Sequence, residues 1–148
     1  MALAVASILL VGCTALGGAS TPTPTGVPES NVLDLDVGDC LVTGGAGRVT
    51  KTVPVVDCSL EHDSEAYANI TVAGISFPGD DAISEQAVAE CTTEFTTFIG
   101  MDYEKSSLDF AYYYPTQSSW ERGDHEILCL AIDPETESVT GSLAGSAR

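Results

Sequence analysis

The spacing of apolar residues along this chain switches from two to four and back to two, and each switch predicts an element. Residues 32–37 alternate Leu33, Leu35 and Val37 with Asp34 and Asp36, the pattern of a half-buried strand, and Gly38-Asp39 then bends the chain. A β-branched run over residues 49–56 predicts a second strand, where Pro54 implies an edge or a bulge because it has no N–H to give to a ladder. Residues 66–72 set Ala66, Ala68, Ile70 and Val72 against Tyr67, Asn69 and Thr71, a third strand.

The period then lengthens. After Pro78-Gly79, Asp80 or Asp81 can cap a helix and both suit the positive end of its dipole. Ile83, Ala87, Cys91 and Phe95 recur every four residues, joined by Val88, Phe98 and Ile99, while Glu85, Glu90 and Glu94 lie on the other side, so Cys91 faces the core. Gly100 stops the helix. Alternation returns with Leu108, Phe110, Tyr112 and Tyr114, residues 120–124 turn, and residues 126–132 form a last strand carrying Cys129. The order βββαββ predicts an α+β domain with a mainly antiparallel sheet of about five strands and one helix packed on it.

At the N-terminus the pattern is different again. Residues 3–11 are almost wholly apolar, too short to span a bilayer but suited to a signal-peptide core, and Leu10-Val11-Gly12-Cys13 resembles a bacterial lipobox. Residues 1–12 are therefore expected to be removed and Cys13 to receive the lipid. Residues 14–30, with Pro22, Pro24 and Pro28 among Thr, Gly and Ser, lack the periodicity to fold and read as a tether, about 50 Å long if extended. The folded domain is expected over 31–143 and a loose tail over 144–148.

Composition narrows the setting. The chain has 148 residues, 22 Asp and Glu against five Lys and Arg, and a formal net charge of −17, which excludes nucleic acid as a partner and favours solubility beside a membrane. Beyond Cys13 it has four cysteines, Cys40, Cys58, Cys91 and Cys129, an even number in an exported chain, which predicts two disulfides. Four cysteines allow three pairings. Adjoining strand ends favour Cys40–Cys58, and the inward helix face opposite the last strand favours Cys91–Cys129.

Three groups of residues could carry chemistry. His62-Asp63-Ser64-Glu65 places an imidazole beside carboxylates, as general acid–base catalysis by a small hydrolase would need, but no nucleophile in a strained turn accompanies it. A turn-holding role for His62 and Glu65 is the stronger expectation. Cys58 with His62 and His125 with Cys129 have zinc-like spacing, yet an oxidising exterior favours disulfides over thiolate ligands, and Asp80-Asp81 lack calcium-loop spacing; no metal or other cofactor is expected. Trp120, Arg122 and Asp124 lie on one turn, with Tyr112, Tyr113 and Tyr114 close in sequence, and an exposed Trp120 would offer a sugar or peptide platform, although closing the end of the core is the commoner use of such a ring.

Gly38-Asp39-Cys40, Cys58, His62-Asp63-Ser64-Glu65, Cys91, Trp120-Glu121-Arg122-Gly123-Asp124 and Cys129, with Tyr114-Pro115-Thr116 and Gly141-Ser142-Leu143, together resemble the septum formation domain family of actinobacterial envelope proteins. His125 stands where that family more often has Arg. The resemblance implies an exported or membrane-tethered domain associated with cell division, without an established activity or ligand. The expectation is a non-catalytic extracytoplasmic domain, anchored to the cell membrane by lipid on Cys13, that binds an envelope or division protein or cell-wall material. A small hydrolase using His62 with Asp63 or Glu65, or a ligand-sensing domain with a closed pocket, are the alternatives.

Overall fold

The computed structural model describes residues 27–44 and 51–148, so the expected signal peptide, Cys13 and the tether up to residue 26 lie outside the described residues. Among the described residues, six strands form one antiparallel sheet in the order β1-β3-β2-β4-β6-β5: β1 Glu29–Asn31, β2 Cys40–Leu41, β3 Thr52–Val56, β4 Ser64–Thr71, β5 Asp109–Tyr113 and β6 Glu126–Ile132. A long helix, α1 Asp80–Ile99, precedes β5, and a single turn, α2 Gln117–Trp120, precedes β6. The expected α+β architecture forms, with Cys40–Cys58 and Cys91–Cys129 as its disulfides.

The differences lie at the N-terminal side. Residues 32–37 are not a strand. Val32–Asp34 is a 3-10 turn because Asn31 Oδ1 accepts from Leu33 N–H, and Asp39 Oδ2 accepts from Asp36 N–H, so local polar side chains take the bonds a ladder would need. Leu35 is buried, but Leu33 and Val37 are 51% and 54% exposed. The pairing strand is instead β1, which begins in the last two residues of the expected tether, so the fold begins before residue 31. β2 has only two residues, too few to show a period. Pro54 lies within β3 between two neighbours, not at an edge; it sits where the β2 pairing runs out, its carbonyl taking Val42 N–H at 3.0 Å with no N–H to return.

β4 carries a bulge between Ala66 and Ala68, and this decides how the core is divided. The extra residue puts Tyr67 and Ala68 with Ile70 and Val72 toward α1, while Ala66 turns to the opposite face, against the simple alternation expected. β6 is buried on both sides: Ile127, Cys129 and Ala131 meet Ile83, Ala87, Cys91, Phe95 and Ile99 of α1, and Leu128 and Leu130 meet Leu35, Leu41 and Val53. Tyr67 spans the join, donating its hydroxyl to the Cys91 carbonyl of α1 at 2.8 Å.

α1 starts without a side-chain cap. Gly79, at φ 97°, occupies the cap position, and Asp80 and Asp81 lie in the first turn, where they favour the dipole but do not cap. Val88, expected inward, is exposed. Gly100, at φ 80°, ends the helix in the left-handed conformation as expected, its N–H on Thr96 O. The tail is also a correction: residues 144–148, expected loose, are tied down by Gly145 N–H to Phe98 O at 2.8 Å, Ala147 N–H to Ile99 O at 2.9 Å, and Arg148 to Asp133 at 2.8 Å.

Candidate functional site

The densest polar cluster sits where β3 leads into β4 and the C-terminal segment crosses them. A tight turn after β3 (Leu60 N–H to Asp57 O, 2.8 Å) brings His62 to the sheet, and a two-way backbone pairing with Val139 (3.0 and 2.8 Å) fixes it there. Its ring is only 1% exposed. Nδ1 lies 2.8 Å from Leu60 O; a carbonyl only accepts, so Nδ1 carries a hydrogen, and Nε2 is buried with no protein group bonded to it.

Neither carboxylate is hydrogen-bonded to the imidazole. Asp63 Oδ1 accepts from Thr43 N–H at 2.9 Å and Thr43 Oγ1 at 2.8 Å, and Oδ2 accepts from Gly44 N–H at 2.7 Å, so this side chain holds the chain leaving β2. Tyr113 feels that carboxylate: burial first, and the negative charge of Asp63 second, push its phenol above the ordinary value. Glu65, also buried, accepts from Ser142 Oγ at 2.7 Å and from Leu143 N–H at 2.6 Å. Gly141 N–H on Cys58 O at 2.6 Å completes the latch. The motif is thus a pair of clamps, one on the β2 exit and one on the C-terminal segment. Thr43, Val139, Ser142 and Leu143, which complete it, were not picked out as site residues by sequence; Gly141-Ser142-Leu143 was the visible signal, but nothing in its composition names Glu65 as the partner.

Cys40 Sγ, a ring nitrogen of His62 and a carboxylate oxygen of Glu65 lie within 4.8 Å of one another. As a metal donor set this fails, because the sulfur is bonded to Cys58 and both Glu65 oxygens hold the C-terminal segment. The zinc-like spacing of Cys58, His62, His125 and Cys129 meets the same objection, since both cysteines are in disulfides.

Trp120 is not a platform. The ring is 4% exposed, stacked on His125 with centroids 3.8 Å apart and planes 10° apart, edge-on to Phe77, and its Nε1 donates to Ile75 O at 3.3 Å. Arg122 is exposed and donates to Ser118 Oγ, and Asp124 Oδ1 accepts from Glu126 N–H, so these two hold the turn. What this end does expose is Ile75, 99% accessible, beside an open hollow of about 500 Å³ lined by Phe77, Gln117, Trp120 and Glu121.

Both disulfides, the clamp residues and the Trp120 turn fall inside one stretch, residues 37–148, that matches the septum formation family. The chain belongs to the septum formation family. Two proteins named as candidate lipoprotein LppN, of Mycobacterium tuberculosis and of Mycobacterium bovis, are each 27% identical over 126 residues, covering 82% of this chain and 69% of the relative. No solved structure matches the chain. Within the septum formation stretch Gly38-Asp39-Cys40 forms the bend into β2, with Gly38 at φ 98° and its N–H on Ala66 O at 2.7 Å, beside the β4 bulge. The septum formation match begins after β1, so that edge strand stands outside it.

Proposed function

We propose that this chain is the extracytoplasmic domain of a lipid-anchored envelope protein, held through Cys13, and that it works by binding an envelope or division protein rather than by catalysis. The observation that carries the reading is the state of the His62 cluster. Both carboxylates that could activate the imidazole are spent on the chain's own backbone and hydroxyls, and the ring itself is sealed from solvent. General acid–base catalysis needs a group within hydrogen-bond reach of a substrate proton. Family membership, the candidate-lipoprotein names of the relatives and two disulfides support the envelope setting. Among the described residues no helix is long and apolar enough to cross a membrane.

The exposed Ile75 beside the Phe77–Trp120 hollow is the surface best suited to a protein partner, an apolar knob on a loop braced by buried Trp120 and partly buried Phe77. A photo-reactive residue at position 75 of the membrane-anchored protein is expected to crosslink one envelope or division protein in living cells, and the same probe at the exposed Glu104 is not. Identical adduct patterns at both positions would remove the assignment of this surface. Anchoring is tested separately: Cys13→Ser is expected to move the protein from the membrane to the soluble fraction. Hydrolysis of a cell-wall substrate that is lost in His62→Gln at unchanged melting temperature would overturn the non-catalytic reading.

A further inference from the structure

The two disulfides differ in what surrounds them. Cys91–Cys129 joins α1 to β6 with both residues wholly buried in the larger core. Cys40–Cys58 is asymmetric: Cys40 is wholly buried in β2, whereas Cys58, on the turn after β3, is partly exposed. Behind the buried sulfur stand a His62 ring nitrogen and the Glu65 carboxylate, within 4.8 Å. We propose that Cys40–Cys58 is a thiol–disulfide exchange site, attacked at Cys58 by a dithiol of a partner protein, with His62 the group that exchanges a proton with Cys40.

The direction follows from access. A thiolate must approach a disulfide in line with the bond it breaks, from the side opposite the leaving sulfur. Burial closes that approach at Cys40 and leaves Cys58 as the partly exposed partner, its Sγ 3.6 Å from Gly38 O. The incoming thiolate bonds to Cys58 Sγ, the Cys40–Cys58 bond breaks, and its electron pair departs on Cys40 Sγ. That thiolate forms in an apolar interior, where an anion is costly unless it is neutralised. His62 supplies the proton from inside the fold: Nδ1 is held by Leu60 O, Nε2 has no protein partner, and a ring nitrogen lies within 4.8 Å of Cys40 Sγ, so Nε2 gives its proton to Cys40 as that sulfur departs, while the incoming thiol loses its own proton to water before it attacks. The second thiol of the dithiol then resolves the mixed disulfide, leaving Cys40 and Cys58 as thiols and the partner oxidised. In reverse, Nε2 takes the Cys40 proton as that sulfur attacks.

The other charged groups nearby do not compete for this role. Asp63 is engaged by Thr43 and Gly44, Asp39 by Asp36 N–H and Asp57 by Ser59 N–H, while Glu61 and Arg148 line the hollow over the C-terminal segment. Glu65 is the one carboxylate beside the ring and the sulfur, and both of its oxygens are held by Ser142 and Leu143. Losing this bridge need not open the fold, since β2 and β3 are already paired through Cys40–Val56 and Leu41–Val55.

The full chain, incubated natively with dithiothreitol, alkylated with iodoacetamide and mapped by peptide mass, is expected to carry label on Cys40 and Cys58 while Cys91 and Cys129 stay bridged. Cysteamine, a cationic monothiol suited to a surface of net charge −17, is expected to form its mixed disulfide on Cys58 and not on Cys40. The exchange rate of the native chain, corrected for the reagent's thiolate fraction, should rise as pH falls from about 8 to about 6, and in His62→Gln it should be flat and about tenfold slower at the acid end. Simultaneous labelling of all four cysteines, a cysteamine adduct on Cys40, or a flat corrected profile in the native chain would each overturn the proposal. The mapping and the native profile need no variant, so they stand even where His62→Gln fails to fold.

Discussion

Glu65 shows how one residue can hold two distant parts of a chain. Its carboxylate accepts two charge-assisted bonds from Ser142 and Leu143, and the Leu143 N–H has no other bond partner if the acid is removed. Glu65→Ala should therefore cost about 3 kcal/mol, one hydrogen bond to a charged group and one stranded buried donor, and lower the melting temperature by roughly 10 °C. Ser142→Ala, which strands nothing but the carboxylate oxygen, should cost about 1 kcal/mol. Equal losses in urea titrations of the two variants would contradict the clamp. Tyr67 acts through burial instead. Removal of its phenol from water, and then the charges of nearby acidic groups, push its ionisation well above the ordinary range. The folded state keeps the proton where the unfolded chain releases it, so this contribution is full below about pH 10 and falls away as pH rises beyond it. Spectrophotometric titration should show tyrosinate from Tyr67 appearing only together with alkaline unfolding. Tyrosinate from Tyr67 in chain that is still folded would refute this.

The elements that were legible from sequence are those whose side chains keep one period and meet one neighbour. α1 kept its four-residue repeat because Ile83, Ala87, Cys91, Phe95 and Ile99 all meet the same sheet face, and Gly100 ended it for a local reason, its φ of 80°. β6 was legible for a similar reason, as a continuous apolar run that is buried on both faces. β2 was not, because two residues carry no period, and the 32–37 alternation misled because Asn31 and Asp39 bond the backbone locally. The same limit hid the tail and half of the clamp. Gly, Ser and Thr there promise no core, yet Gly145 and Ala147 give their N–H groups to the Phe98 and Ile99 carbonyls, which the end of α1 leaves open. Deleting residues 144–148 should therefore cost about 2 kcal/mol and speed hydrogen exchange in the last turn of α1 without changing exchange in β6. Unchanged protection at that turn would mean that the tail docks without supporting the helix.

For the whole molecule, the two bridges contribute similar chain entropy but stand at different places in the fold. Cys40–Cys58 spans 18 residues and Cys91–Cys129 spans 38, so the loop-closure estimates are about 3 and about 4 kcal/mol, against a stability of roughly 5 to 15 kcal/mol for a typical domain. Entropy alone would make the two nearly interchangeable. Packing separates them. Cys91–Cys129 is the covalent centre of the core between α1 and the sheet, where Tyr67, Phe95 and Ile127 also meet, and α1 has no other covalent tie to the sheet. Replacing both of its cysteines by Ala removes the cross-link and leaves a void among fully buried side chains, a further loss on the order of 1 to 2 kcal/mol. The Cys40→Ala/Cys58→Ala chain keeps the β2–β3 ladder and the Asp63 clamp on the β2 exit. The expected order of urea midpoints is therefore native chain, then the Cys40/Cys58 variant, then the Cys91/Cys129 variant, with only the last losing its near-ultraviolet signal at physiological temperature. That order is also what an exchange site requires, because a bridge that opens and closes during work must be one the fold can spare. A Cys40/Cys58 variant that unfolds first would make both bridges structural and leave His62 a buried imidazole with nothing to protonate.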